Sequence, residues 1–206
     1  MRNRTVTAAV VLAAALLLTL SLTATAARLS YSAREFRITW ATLRFSAAEG
    51  GVSITCPVTL EGNFLDRTSA KVRDQVEARI TRSTIGTCRE GRATVLAETQ
   101  PWDVTYQSFT GTLPNITGVR YSLINAAFRV EPGLGIVCLA RTSREAPAAG
   151  DARRDATGRI TSLTTDSTLQ IPTTGNAECP EFGIFFGTGE VFVQGSTTTR
   201  VTLSLI

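Results

Sequence analysis

Alternation of apolar and polar side chains recurs along this chain and limits its fold more than any other feature. Val52, Ile54, Cys56, Val58 and Leu60 share one parity, while Ser53, Thr55, Thr59 and Glu61 share the other. Such a period of two places one face of a strand in a core and the other in water. Trp102, Val104 and Tyr106 alternate with Asp103, Thr105 and Gln107, and Val201, Leu203 and Leu205 with Arg200, Thr202 and Ser204. About ten such segments, separated by turn signals, predict an all-β fold, an antiparallel β-sandwich.

Several segments carry a finer reading. A strand over about 36–46 joins the next through the Glu49-Gly50-Gly51 hairpin turn. Pro57 has no ladder donor, so its strand lies at an edge or bulges there. Leu65, Ser69, Val72, Val76 and Ile80 have helical spacing, and Arg73 and Glu77 form an i,i+4 pair. Because 76–83 also alternates, a short helix or turn is expected near 67–73 and a strand from about Val76. Between Val119 and Val130 the apolar parity switches after Leu123, which predicts a bulge or burial on both faces. Residues 146–158, with small side chains, mixed charges and no periodicity, read as an exposed loop.

The four cysteines, Cys56, Cys88, Cys138 and Cys179, include no C-x-x-C pair, and the chain has no histidine. Structural zinc and dithiol redox centres both lack their usual spacing. Four cysteines permit three connectivities. Sequential pairing, Cys56–Cys88 and Cys138–Cys179, closes the most local segments and is the expected one. Each bridge would contribute about 3–4 kcal/mol by loop entropy.

The N-terminus explains why disulfides are expected. Arg2 and Arg4 precede an apolar run from Val6 to Leu22, followed by Ala24-Thr25-Ala26. This is the layout of a cleavable signal peptide over residues 1–26, a signal helix cut after Ala26, with Ala24 as the second choice. A single secreted domain, 27–206, would remain, outside the reducing cytosol or in the cell envelope. Removal of Arg2 and Arg4 leaves nineteen basic residues against seventeen acidic ones, a net charge of +2. The arginines form no one-signed stripe, so nucleic acid is not an expected partner. No later apolar run is long enough to span a membrane.

The run from Pro101 to Ile116 (PWDVTYQSFTGTLPNI) and the segment Cys56 to Gly62 (CPVTLEG) resemble uncharacterised secreted all-β proteins of actinobacteria. The similarity is clearest over about 53–138. It implies secretion and an all-β fold, and it carries over no activity and no catalytic or binding residue.

Chemistry is sparsely marked. Without histidine, the single lysine, Lys71, or a carboxylate would have to serve as base. Ser69-Ala70-Lys71 lacks the S-x-x-K spacing of a serine–lysine pair. Glu61, Asp66, Asp103 and Glu190 are candidates for a two-carboxylate glycosidase, and each also reads as an exposed strand or turn residue. Asp151, Asp155 and Asp166 offer oxygens for calcium but lack a fixed acidic spacing. Gly187-Thr188-Gly189 reads as a hairpin turn. Asn115-Ile116-Thr117 is a formal glycosylation sequon that reads as a turn. Trp102, Tyr106 and Phe109 are either sandwich core or an aromatic platform for sugar. No catalytic, cofactor or metal residue is assigned. The expectation is a non-catalytic binding or structural protein with a cell-surface or polysaccharide partner. Two alternatives stand beside it, a carboxylate enzyme acting on carbohydrate and a carrier of a small apolar ligand between the sheets.

Overall fold

The computed structural model describes residues 28–206 apart from Val52 and Ser167. The expected signal peptide, 1–26, lies outside the described residues. Almost every element is a strand, joined by turns and one 3-10 turn at Ala97–Thr99. The all-β expectation is met, but the architecture is a closed barrel with appended strands and not a sandwich.

Eight strands form the barrel: β2 (Glu35–Ala47), β3 (Ser53–Phe64), β5 (Val76–Ile85), β7 (Trp102–Thr112), β8 (Asn115–Ile124), β11 (Ala148–Arg154), β12 (Ile160–Thr165) and β15 (Thr188–Val193). Each pairs antiparallel with the barrel strand next in the chain, and β15 returns to pair with β2, Glu190–Val193 against Thr39–Phe36. This is an up-and-down barrel, which leaves no free sheet edge. Alternation cannot reveal closure, because a strand in an open sandwich and one in a barrel show the same inward and outward parity.

Strand direction sorts the connections to two ends. At one end the hairpins are short, except that the β3–β5 connection carries β4 (Thr68–Ser69). There β4 pairs with β1 (Leu29–Tyr31), and β1 also pairs with β16 (Leu203–Leu205), so both ends of the described chain form a three-stranded cap. Leu29, Val201 and Leu203 are fully buried beneath it. At the other end the connections are long apart from the β2–β3 hairpin. They supply β6 (Arg92–Val95), β9 (Ala127–Gly133), β10 (Ile136–Arg141), β13 (Ile171–Gly175) and β14 (Phe182–Phe186). These five form a second sheet, joined to the barrel where β14 pairs with the C-terminal part of β2.

Both disulfides serve this end. Cys56 on β3 is bonded to Cys88 ahead of β6, and Cys138 on β10 to Cys179 between β13 and β14. The sequential pairing is the one observed, and all four cysteines are oxidised.

Over 67–73 the turn forms and not the helix, at Arg73–Asp74 after β4, and the expected strand starts at Val76. Three local readings change. The parity switch after Leu123 is a change of strand at Asn125, whose φ of 66° is left-handed, and not a bulge within one strand. The 146–158 loop contains β11, whose Ala148, Ala149, Gly150 and Ala152 line the barrel interior. Gly187-Thr188-Gly189 makes no hairpin, because β14 and β15 run in the same direction along one side of β2. A Cβ at Gly189 would lie 2.8 Å from the Trp40 ring, so glycine lets the indole reach the sheet backbone. Pro57 is tolerated in an inner strand because the β2–β3 register shifts opposite it, between Trp40 and Leu43.

Candidate functional site

The barrel interior holds a cavity of about 120 Å³. All eight barrel strands contribute to its wall, among them Phe36, Trp40, Leu60, Ile80, Tyr121 and Leu163. Phe128 of β9 and Phe185 of β14 close it toward the second sheet. Those two rings stack edge to face at 5.2 Å, and Trp102 and Phe45 extend the cluster. An eight-stranded barrel is at the size where side chains either fill the bore or leave room for one small ligand. Here the four small residues of β11 leave that room.

Beneath the three-stranded cap the apolar wall meets a buried polar cluster. Tyr31 reaches in from β1, its ring stacked on Phe64 at 3.8 Å. Its hydroxyl donates to Glu77 Oε2 at 2.7 Å and lies 3.0 Å from the Tyr121 hydroxyl. Tyr31 has one proton to give, so Tyr121 is the donor in the second bond. The Ser69 hydroxyl lies 3.5 Å from that of Tyr31. The chain of donation therefore runs from Tyr121 through Tyr31 to Glu77.

Glu77 reaches this position through a bulge. The β5–β7 register shifts between Val76 and Ala78, which face Thr105 and Val104. The extra residue is Glu77, and the bulge turns its side chain inward beside Ala78 and Ile80. Glu77 is 4% exposed and Oε1 has no hydrogen-bond partner. Burial raises its pKa, against hydrogen bonding from Tyr31 and then Ser69, which lowers it. Burial and then the Glu77 charge also hold the Tyr31 and Tyr106 hydroxyls above their ordinary value. Tyr121 is raised by burial first, then by Tyr31 and Glu77. A second buried polar atom, Trp40 Nε1, also lacks a partner, and Trp40 lines the cavity.

No family model, curated protein or solved structure matches the chain.

The sequence candidates fall elsewhere. Glu61 is paired with Arg82, Asp103 with Arg79 at 3.3 Å and Glu190 with Arg200 at 2.5 Å, while Asp66 is exposed. Three of these four carboxylates are tied to arginines. Asp151 and Asp166 converge on Arg120, and Asp155 accepts from Thr157 and Arg159 in its own turn. Among the described residues no three acidic or cysteine side chains are grouped to hold a metal. Trp102 and Tyr106 are buried, so neither presents a ring to a polysaccharide. Trp102 Nε1 donates to Thr99 Oγ1 at 2.8 Å. Lys71 Nζ sits 5.9 Å over the Phe109 ring. The residue missed by sequence reasoning is Glu77, which strict alternation with Val76, Ala78 and Ile80 places outside.

A second hollow of about 280 Å³ lies between the β2–β3 hairpin and the appended sheet, walled by Phe45, Ile54, Ile136, Glu178 and Ile184. Phe185 is common to both spaces. This outer groove is larger, but Trp40, with its unpartnered Nε1, lines the barrel cavity and not the groove.

Proposed function

We propose that the protein is an exported binding protein that holds one small apolar molecule inside its barrel. The observation that carries this reading is the apolar cavity walled by all eight barrel strands. A rigid apolar space of about 150 Å³ stays dry and takes up benzene, so this one, slightly smaller, fits a ligand of similar size. The barrel supplies the rigid wall, and the aromatic cluster at Phe128 and Phe185 supplies a closed end. The structural-component and carboxylate-enzyme readings gain less support: the surface carboxylates are tied up by arginines, while the space for a ligand is interior. Export is supported by the two disulfides, by the signal-like residues 1–26 and by the resemblance to secreted actinobacterial proteins. No helix among the described residues is long and apolar enough to cross a membrane.

The test is a titration of exported protein, shown by intact mass to begin at Ala27, with benzene and toluene. Trp40 in the cavity wall makes intrinsic fluorescence a direct reporter. At ten times Kd, binding adds about 1.4 kcal/mol of stability, which raises the melting temperature by about 3–6 °C. No fluorescence change and no thermal shift with either compound would rule the reading out. An exported product that still carries residues 1–22 would rule out cleavage.

A further inference from the structure

Resting on that reading, the geometry points to the chemical class of the ligand: an apolar alcohol whose hydroxyl lies against Tyr121 and Glu77 Oε1, with its hydrocarbon body in the cavity.

Glu77 Oε1 is a buried oxygen without a partner. A buried polar atom without a partner costs free energy, and native folds leave few of them. Glu77 is buried through a bulge, and bulges cluster near active sites, where they re-aim a side chain. Exposed on the outer face, this carboxylate would cost nothing. Turned inward, it keeps one oxygen satisfied by Tyr31 and one oxygen unpaired. Tyr121 belongs both to the cavity wall and to this cluster, and Ala78, next to Glu77 on β5, also lines the cavity.

The donation order then selects the ligand group. The protons of Tyr121 and Tyr31 are already committed inward, and both hydroxyl oxygens retain acceptor capacity. Ionised, Glu77 Oε1 needs a donor. Protonated, with Oε2 occupied by Tyr31, its proton sits on Oε1 and needs an acceptor. An ammonium satisfies only the first state and a carbonyl only the second. A hydroxyl both donates and accepts, so it fits either state.

The experiment compares phenol with benzene on the intact protein by calorimetry at neutral pH. In a wholly apolar cavity phenol binds more weakly, because its hydroxyl is desolvated without a partner. Here phenol is expected to bind about tenfold tighter than benzene. Glu77→Leu should reverse that order while retaining benzene, and Tyr121→Phe should separately remove the preference for phenol. The wild-type comparison stands even if one variant fails to fold.

Benzene bound as tightly as phenol or more so by the wild type overturns the alcohol assignment and leaves the cavity reading intact. A phenol preference that survives both substitutions also overturns it, because the hydroxyl would then sit elsewhere, for instance against Trp40 Nε1. Binding of neither compound overturns the assignment together with the reading it rests on.

Discussion

Asp166 shows how much one carboxylate at the barrel rim contributes. Its Oδ1 accepts from the Thr168 hydroxyl at 2.6 Å and the Thr168 backbone N–H at 2.9 Å, and its Oδ2 meets the Arg120 guanidinium. The Thr168 hydroxyl bond, followed by the Arg120 pair, holds its pKa down to about 2, against 3.8 ordinarily. A depressed folded-state pKa stabilises at every pH above the unfolded value and is lost as pH falls toward the folded one. The contribution, about 2 kcal/mol, is therefore complete above about pH 4 and disappears between pH 4 and 2. Asp166→Asn should lower the unfolding free energy at neutral pH by about that amount and flatten the wild-type decline between pH 4 and 2 in denaturant titrations. An unchanged slope in the variant would refute the assignment. Glu77 acts in the opposite sense: its raised pKa makes it a destabilising group once pH rises above the ordinary carboxylate range. These residue-level features were partly legible. The acidic residues near 151–166 were recognisable as a group, but their shared partner Arg120 comes from another strand. Glu77 was hidden because a bulge is a mismatch between two strands, and sequence parity shows only one strand at a time.

At the scale of elements, β11 is the strand that sequence patterning could not recognise. A strand is read from bulky apolar side chains on alternate positions, and Ala148, Gly150 and Ala152 carry almost none. The same lack of bulk leaves the cavity. β3 and β7 were legible because their inward residues, such as Ile54, Val58 and Trp102, are large and fully buried. The glycines at 187 and 189 were misread as a turn because the ring they admit, Trp40, lies on a strand far away in sequence. Ala152→Val tests the relation between small residues and space. Ala152 is buried and lines the cavity, so two added methyl groups enter existing room. The variant should be as stable as wild type or more stable by up to about 1 kcal/mol, and benzene binding should weaken at least tenfold. A loss of stability without loss of benzene binding would mean that the side chain points into packed core and not into the cavity.

For the whole molecule, closure of the barrel is uneven, and the uneven seam sets how a ligand would enter. β2 and β3 pair at ten positions and β7 and β8 at nine, whereas β12 and β15 pair only at Leu163–Gly189 and Thr164–Thr188. Thr165 adds to this seam: its hydroxyl donates to the Gly187 carbonyl and accepts the Gly187 N–H at 2.8 Å. Few ladder bonds and a glycine in the pairing register make this the cheapest place to part the sheet. The disulfides do not guard it, since one ties β3 to the segment before β6 and the other lies within the appended sheet. Hydrogen exchange should therefore show β12 and β15 losing protection faster than β2, β3, β7 and β8, with full unfolding of the barrel slower than either. Added benzene should slow exchange at β12 and β15 most, because a filled cavity penalises opening of its wall. Uniform protection around the barrel, or slowing by benzene confined to the appended sheet, would place entry elsewhere and favour the outer groove beside Phe185 as the door.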